Sequence, residues 1–450
     1  MRPWVGRLIK TLLTAACFTP AAVYAQDPGS TAMLFENVRI FDGTSSALSA
    51  PSNVLVRGNK IDKISSTPIS VGSDVDVTVI RGEGRTLMPG LIDAHAHLAM
   101  TTISQMTLMT SEANYAVLRA GQDAGEMLMR GITSVRDAGG PVFGLKRMID
   151  EERIPGPRIW PSGAMISQTA GHGDFRTVHD LPRADGDLHF SERYGYAAIA
   201  DGEAEVLRRV REQLMHGASQ IKLMAGGGVS SVYDPIDVSQ FTEAELRAAV
   251  EAASAWGTYV MVHAYTSEAV RTALRAGVKS IEHGQLIDED TIKMMVENNA
   301  WLSVQPFLGD PDPRFAEGSP SRLKQLEVAQ GTEQTIQLAK QHGVKLAWGV
   351  DALFNPQKAA AQTEQLAVMS RWFSPSEVLT MATRNNAELL ALSGPRNPYP
   401  GKLGVIEEGA LADLLLVDGD PIANLQIIAE PGKYFVVIIK DGKIYKNALR

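Results

Sequence analysis

"LIDAHAHLAM", residues 91–100, is an apolar run that carries Asp93, His95 and His97 in alternation. Alternate side chains share one face of a strand, so the stretch predicts a buried strand with one polar face. Further along the chain, short buried-type strands alternate with longer helical patterns such as "EAEVLRRVREQLMHG" and "FTEAELRAAVEAASAWG". Candidate strands fall at 90–97, 132–137, 158–165, 219–224, 258–263, 279–283, 300–305 and 345–351. Eight strand–helix units over about 300 residues fit an α/β fold of the (β/α)8 TIM-barrel type. The competing architecture is an open doubly wound sheet, which is weakened because no G-x-G-x-x-G follows the first strand. "AGGGVSS" at 225–231 lacks the Lys-Ser/Thr of a phosphate loop.

The two ends of the chain have a different texture. "MLFENVRIFDG", "SNVLVRGNKIDKIS" and "DVTVIRGEGRTLMPG" are short β-rich runs broken by Asp-Gly, Gly-Asn and Pro-Gly turns. "GKLGVIEEGALADLLLVDGDP" and "YFVVIIKDGKIYKN" repeat that texture near the C-terminus. Residues 26–89 and 401–450 are therefore read as the two parts of one small β-sandwich domain, with the barrel at 90–400 between them.

The first 25 residues read as a secretory signal peptide. "MRPWVGRLIK" supplies Arg2, Arg7 and Lys10, and "TLLTAACFTPAAVYA" is apolar and ends in small residues. Cleavage is expected after Ala25, giving a periplasmic or secreted protein. It would take the net charge from −8 to −11 and remove Cys17, the only cysteine of the 450 residues. A mature chain without cysteine has no disulfide, no thiolate nucleophile and no Cys-ligated metal. No basic run of the nucleic-acid-binding kind occurs, and after cleavage no membrane association is expected.

The strand ends carry the chemistry. Barrel active sites sit at the C-terminal ends of the strands. There the chain places His95 and His97, Lys222 in "SQIKLMAGGG", His263 in "TYVMVHAY", His283 in "KSIEHGQ" and Asp351 in "KLAWGVDAL". A buried, unpaired lysine or aspartate is costly, whereas four imidazoles and a carboxylate together suit zinc or a similar cation. Lys222 has two readings. It is salt-bridged to Asp351, or it is deprotonated by burial and carboxylated by carbon dioxide into an anion that bridges two metals.

This constellation resembles the amidohydrolase superfamily, and "LMPGLIDAHAHL" and "GALADLLLVDGDP" are similar to its entry and exit motifs. The resemblance implies a binuclear centre of two divalent ions, most simply zinc. His95, His97 and Asp351 would hold the first ion, His263 and His283 the second, with carboxylated Lys222 as the bridge. It also implies attack on the substrate carbonyl by a hydroxide lying between the ions, with Asp351 moving the proton to the leaving amine.

"SQTAGHGD" at 167–174 and "KLMAGGGVSSVYDPIDVSQFTEAEL" at 222–246 resemble the exported, carboxypeptidase-like subgroup. That subgroup acts on dipeptides and N-acyl amino acids, and includes prolidase-like enzymes and relatives that hydrolyse ochratoxin A. Where its strings run closer to T-G-G-H-G and S-G-G-V, this chain has Ala170 and Gly226. The implied substrate carries a free carboxylate. His172 is expected at that carboxylate or at the carbonyl oxygen, and Tyr233 is expected to add a hydrogen bond. The glycines at 226–228 are expected to let backbone N–H groups approach the substrate. Phe307, Leu308, Leu353 and Phe354 are expected to line an apolar pocket or to pack among loops. Arg136 and Asp137 are read as a salt bridge supporting the histidines, and His179, His189, His216 and His342 as surface residues. Segment 171–201 is read as a loop over the site, either a lid or an assembly contact. The subgroup also implies a homo-oligomer.

Other chemistries share parts of this pattern. A deaminase would use one metal and a glutamate shortly after the strand-five histidine, but Glu268 stands five residues past His263 and Lys222 would then have no task. An esterase, lactonase, phosphotriesterase, or cyclic imide or imidazolone hydrolase would use the same ligands. A barrel that had lost catalysis would lack some of them, and all six are here.

Overall fold

The β-branched runs at the two ends pair with each other. In the computed structural model, which describes residues 31–181 and 187–449, they form one eight-stranded sheet. Its order is Lys443–Asn447, Phe435–Lys440, Leu414–Val417, Thr86–Pro89, Thr31–Ile40, Ser52–Arg57 and Lys60–Ser65, with Asp76–Arg81 parallel to Thr31–Ile40. The seam between the two ends is antiparallel, with Leu414 opposite Pro89 and Val417 opposite Thr86. Phe35, Val54, Leu87, Leu416 and Ile439 form this sheet's own apolar core. Each such side chain contributes about 1.5–3 kcal/mol on burial. The leader 1–25, Cys17 and residues 182–186 lie outside the described residues.

Between these ends runs a barrel of parallel strands with helices outside. The strands are Leu91–Ala96, Ile132–Asp137, Arg158–Pro161 continuing as Met165–Ser167, Ile221–Met224, Val260–Thr266, Ser280–Leu286, Trp301–Val304 and Lys345–Trp348. The third is split. Arg158–Pro161 pairs with the second strand, and Met165–Ser167 meets the fourth at Ile166. Ala197–Ile199 adds a short strand beside Met165–Ser167, so the end of segment 171–201 belongs to the barrel wall and is not a loop. The helices carry ordinary end signals. Pro320–His342 is capped by Ser319, starts with Pro320 and stops at Gly343 in a left-handed conformation.

The barrel closes with few direct backbone bonds between its last and first strands. Asp93, fully buried, accepts hydrogen bonds from the backbone N–H groups of His95 at 2.9 Å and Val350 at 3.1 Å and from Gln362 Nε2 at 2.7 Å. Asp93 therefore joins strand one to the residues after strand eight and does not line the cavity that His95 and His97 face. Arg158 ties the barrel to the terminal sheet through Asp413, with contacts of 2.8 and 3.1 Å, and Asp441 at 2.7 Å. Among the described residues, no helix is long and apolar enough to cross a membrane.

Candidate active site

His95 and His97 are both buried, and their outer nitrogens are engaged. His95 Nδ1 lies 2.8 Å from Glu282 Oε2, and His97 Nδ1 lies 3.0 Å from the Gly139 carbonyl oxygen. Carbonyls and ionised carboxylates only accept, so both Nδ1 atoms carry the proton and both Nε2 atoms are bare lone pairs. His283 donates Nδ1–H to Gln305 Oε1 at 2.7 Å, which also leaves Nε2 bare. His263 is reversed. Its Nε2–H donates to the Gly227 carbonyl at 3.0 Å and its Nδ1 is the bare atom. The rings crowd one space, with centroids 5.3 Å apart for His95–His97, 5.0 Å for His95–His283 and 4.6 Å for His263–His283. Burial lowers His95 to about 3, His97 and His283 to about 4, and His263 well below the usual imidazole value. All four are thus neutral at pH 7, the form that binds a metal.

Asp351 completes the group. Its Oδ1 lies 3.6 Å from His95 Nε2 and 3.5 Å from His97 Nε2, and the three ligand atoms fall within 4.8 Å of one another. The residue stands beyond the end of the eighth strand with φ of +50°, and its N–H donates to the His95 carbonyl at 2.9 Å. A Cβ at Gly349 would press on the His95 backbone, so glycine there permits this approach. Lys222 is buried with Nζ 3.5 Å from His95 Nε2. Among the described residues it forms no ion pair, so the bridge to Asp351 is not made. Burial lowers its amine to about 8. The donor set fits divalent cations, since the bare nitrogens of His95 and His97 meet the Asp351 carboxylate and the rings of His263 and His283 crowd the same space.

Glu282 was not legible as a site residue. It receives both Arg136 Nη2 contacts at 2.8 Å and the Ser280 hydroxyl at 2.6 Å while holding His95. Against the upward push of burial, the Arg136 guanidinium keeps its carboxyl well below the usual range. The supporting salt bridge read at Arg136 therefore runs to Glu282. Asp137 instead accepts the backbone N–H groups of Leu98 at 2.8 Å and Gly139 at 3.2 Å, and burial pushes it up to about 8.

His95, His97, Lys222, His263, His283 and Asp351 line a cavity of about 200 Å³. His172 enters it, stacked on His263 at 4.1 Å, with Nδ1 2.6 Å from Ser231 Oγ and 3.4 Å from Asp234 Oδ2. Tyr233 also lines the cavity and is 44% exposed. Tyr265, two residues past His263, also lines the cavity, packing on His263 and His283 at 4.8 and 5.2 Å; its place on the strand-five repeat was the available signal. Phe307, Leu353 and Phe354 face the cavity and Leu308 does not, while Met109, Met224 and Phe175 extend the apolar wall. Residues 173–177 line it too, so the first part of segment 171–201 does cover the site. The glycines serve the protein itself. Gly227 N–H goes to the Val238 carbonyl and Gly228 N–H to Asp234, and a Cβ at Gly228 would collide with the His172 ring. His179 and His216 are exposed, His189 and His342 are partly buried, and none of the four lines the cavity.

The family model for the amidohydrolase family matches residues 86–445. The ochratoxinase of Aspergillus niger is 33% identical over 400 residues, covering 84% of this chain and 80% of that protein. A crystal structure of a prolidase complexed with N-methylphosphonate-L-proline is 33% identical with a TM-score of 0.83, covering 92% of this chain and 100% of that one. A Xaa-Pro dipeptidase structure with methionine in its active site is 30% identical with a TM-score of 0.79, with coverage of 92% and 100%. A parallel barrel with inward imidazoles, a mixed sheet built from both ends of the chain and these likenesses agree, and the chain belongs to the amidohydrolase family.

Proposed function

We propose that this metal-dependent amide hydrolase is a binuclear, carboxypeptidase-like enzyme that releases a C-terminal amino acid from N-acyl amino acids or dipeptides. The observation that carries the reading is the set of inward lone pairs, with the His95 and His97 nitrogens beside the Asp351 carboxylate and the rings of His263 and His283 crowded against them, all lining a cavity with an apolar wall. His95, His97 and Asp351 are assigned to one ion, His263 and His283 to the other, and Lys222 to the bridge. Two divalent ions, most simply zinc, supply acidified water and a polarised carbonyl when bound.

The chain's own groups do the rest. Burial leaves a share of Lys222 amine unprotonated near pH 7, ready to form an N–C bond with carbon dioxide and lose a proton, giving a carbamate. Asp351 takes the proton of the attacking water and passes it to the leaving amine. His172, whose Nδ1 accepts the Ser231 hydroxyl at 2.6 Å, keeps Nε2–H to donate to the substrate carbonyl or carboxylate, with Tyr233 at the rim. Met109, Phe175, Phe307 and Phe354 suit a large apolar or aromatic group, which makes the phenylalanine amide of ochratoxin A a fitting test substrate. On the same reading, the leader directs export to the periplasm or the medium.

The test is amino acid release from a panel of N-acyl amino acids, dipeptides and ochratoxin A by the mature, zinc-loaded protein. Release is expected, and it is expected to disappear with a chelator and in Lys222→Ala. In Asp351→Asn, turnover should fall about 100- to 10,000-fold, the range of general acid–base catalysis, with most metal retained. Wild-type turnover in that variant removes Asp351 from the proton path. Two bound metals without amide cleavage would overturn the reading in favour of esters, lactones or cyclic amides.

A further inference from the structure

Lys324 sits near the start of the helix Pro320–His342, between the seventh and eighth strands. Its ammonium reaches a loop from another part of the barrel, the one that follows strand four. There it donates to three backbone carbonyls, those of Gly228 at 3.1 Å, Ser231 at 3.0 Å and Asp234 at 2.7 Å. An ammonium has three N–H donors and no acceptor, so this cage satisfies it fully. Without a cation, three carbonyl oxygens facing one point repel one another.

The same three residues hold His172. Gly228 lies against its ring with no room for a Cβ. Ser231 Oγ is 2.6 Å from its Nδ1. Asp234 Oδ2 is 3.4 Å from that nitrogen and also accepts the Gly228 N–H at 2.7 Å. Each residue whose carbonyl binds Lys324 therefore also touches the histidine that stacks on His263. The start of the helix is itself anchored, with the Ser319 cap on Arg322 N–H and Arg322 Nη1 on the Asp310 carbonyl at 3.0 Å.

We propose that Lys324 is a positioning residue for His172: by gathering the carbonyls of Gly228, Ser231 and Asp234, it fixes the loop that sets this imidazole beside the metal-ligand cluster. The catalytic consequence rests on the reading of His172 as the substrate-binding group, whereas the geometric claim stands apart from it. Lysine is suited to the place because the contact is a point charge in a ring of oxygens. A flat guanidinium would fit that ring less well.

The experiment uses the zinc-loaded full-length mature protein and Lys324→Ala, with two readouts. The first is the rate at which diethylpyrocarbonate modifies His172, followed by peptide mass spectrometry. It should rise in the variant as Ser231 and Asp234 drift from the ring, with metal content unchanged. The second is kcat/KM on the best amide of the panel, which should fall roughly 10- to 100-fold, as expected for a group displaced by about 1 Å. Propylammonium should restore part of the loss by filling the cage, and tetramethylammonium, which has no N–H, should not. If Lys324→Ala loses its fold or its metals, Lys324→Gln carries the same two readouts. Unchanged His172 reactivity in the folded variant overturns the proposal, whatever happens to activity. If the wild-type protein cleaves no amide while His172 reactivity still rises, the positioning stands and the functional reading fails.

Discussion

Glu282 lies one residue before His283, and both reach His95. Regular strand alternation forbids that, since neighbours point to opposite faces. The φ of +82° at His283 turns its ring back toward the barrel axis, so consecutive residues serve one cluster. This is why Glu282 could not be read from the sequence, while His95 and His97, which obey alternation, could. Replacing Glu282 by Gln keeps the shape and removes the charge. Arg136, fully buried, would then face no anion, and His95 would exchange a charged acceptor for a neutral amide. Breaking a buried pair this way costs about 3–5 kcal/mol. Removing such a support for a ligand histidine lowers metal affinity about 10- to 100-fold. Urea unfolding and a metal titration of Glu282→Gln measure the two, and unchanged affinity would show that His95 needs no such support. Gly228 offers a second probe at this scale. Gly228→Ala should lower kcat/KM while leaving the metal content intact, because the added methyl displaces the His172 ring alone. Loss of metal in that variant would mean the strain spreads into His263.

The eight strands were legible because each is a short apolar run with a polar end. How they close was not, because the closing contacts come from side chains far away in sequence. Asn386 is the clearest case. It follows a wide helical turn at Met381–Asn385, and it is fully buried. Its Nδ2 donates to the carbonyls of Ile92 at 2.6 Å and Trp348 at 2.8 Å, and its Oδ1 accepts the Trp348 N–H at 3.0 Å. It thus bonds to strands one and eight at once, in place of a continuous ladder. No pattern in "MATRNNAELL" distinguishes this asparagine from the one before it. Similarly, the third strand reads as one run at 158–165 but divides where Ser162 and Gly163 turn the chain. Asn386→Leu would strand three buried backbone groups. At about 1–3 kcal/mol for each unsatisfied group, a loss of at least about 3 kcal/mol is expected in urea unfolding. A loss under about 1 kcal/mol, that of a single ordinary hydrogen bond, would assign closure to Asp93 and the Asp351–His95 backbone contact instead.

At the scale of the whole molecule, the exposed surface has an uneven feature. Met106, Met109, Tyr115, Val117 and Leu118 are all exposed within thirteen consecutive residues, with Leu118 at 74% and Met106 at 67%. They lie on the helices Gln105–Thr110 and Ala113–Met129, and Gln105 and Met109 also line the cavity. Single exposed apolar residues are ordinary, but a run of this size at the edge of a site is a mark of an interface. The sequence could not reveal it, because apolar residues in helices read first as core. The expected occupant is a second copy of the chain, consistent with the homo-oligomer that the resemblance implies. An interface here would hold Gln105 and Met109, which line the cavity, in place, so assembly should act on KM more than on kcat. Size-exclusion chromatography with light scattering should show an oligomer for the mature protein, and Met106→Glu with Leu118→Glu should shift it toward monomer by placing like charges across the contact. The double variant should keep its metals, because neither residue touches the ligand set. A monomeric wild-type protein at micromolar concentration would sink the expectation, and the apolar run would then belong to the substrate's path into the cavity.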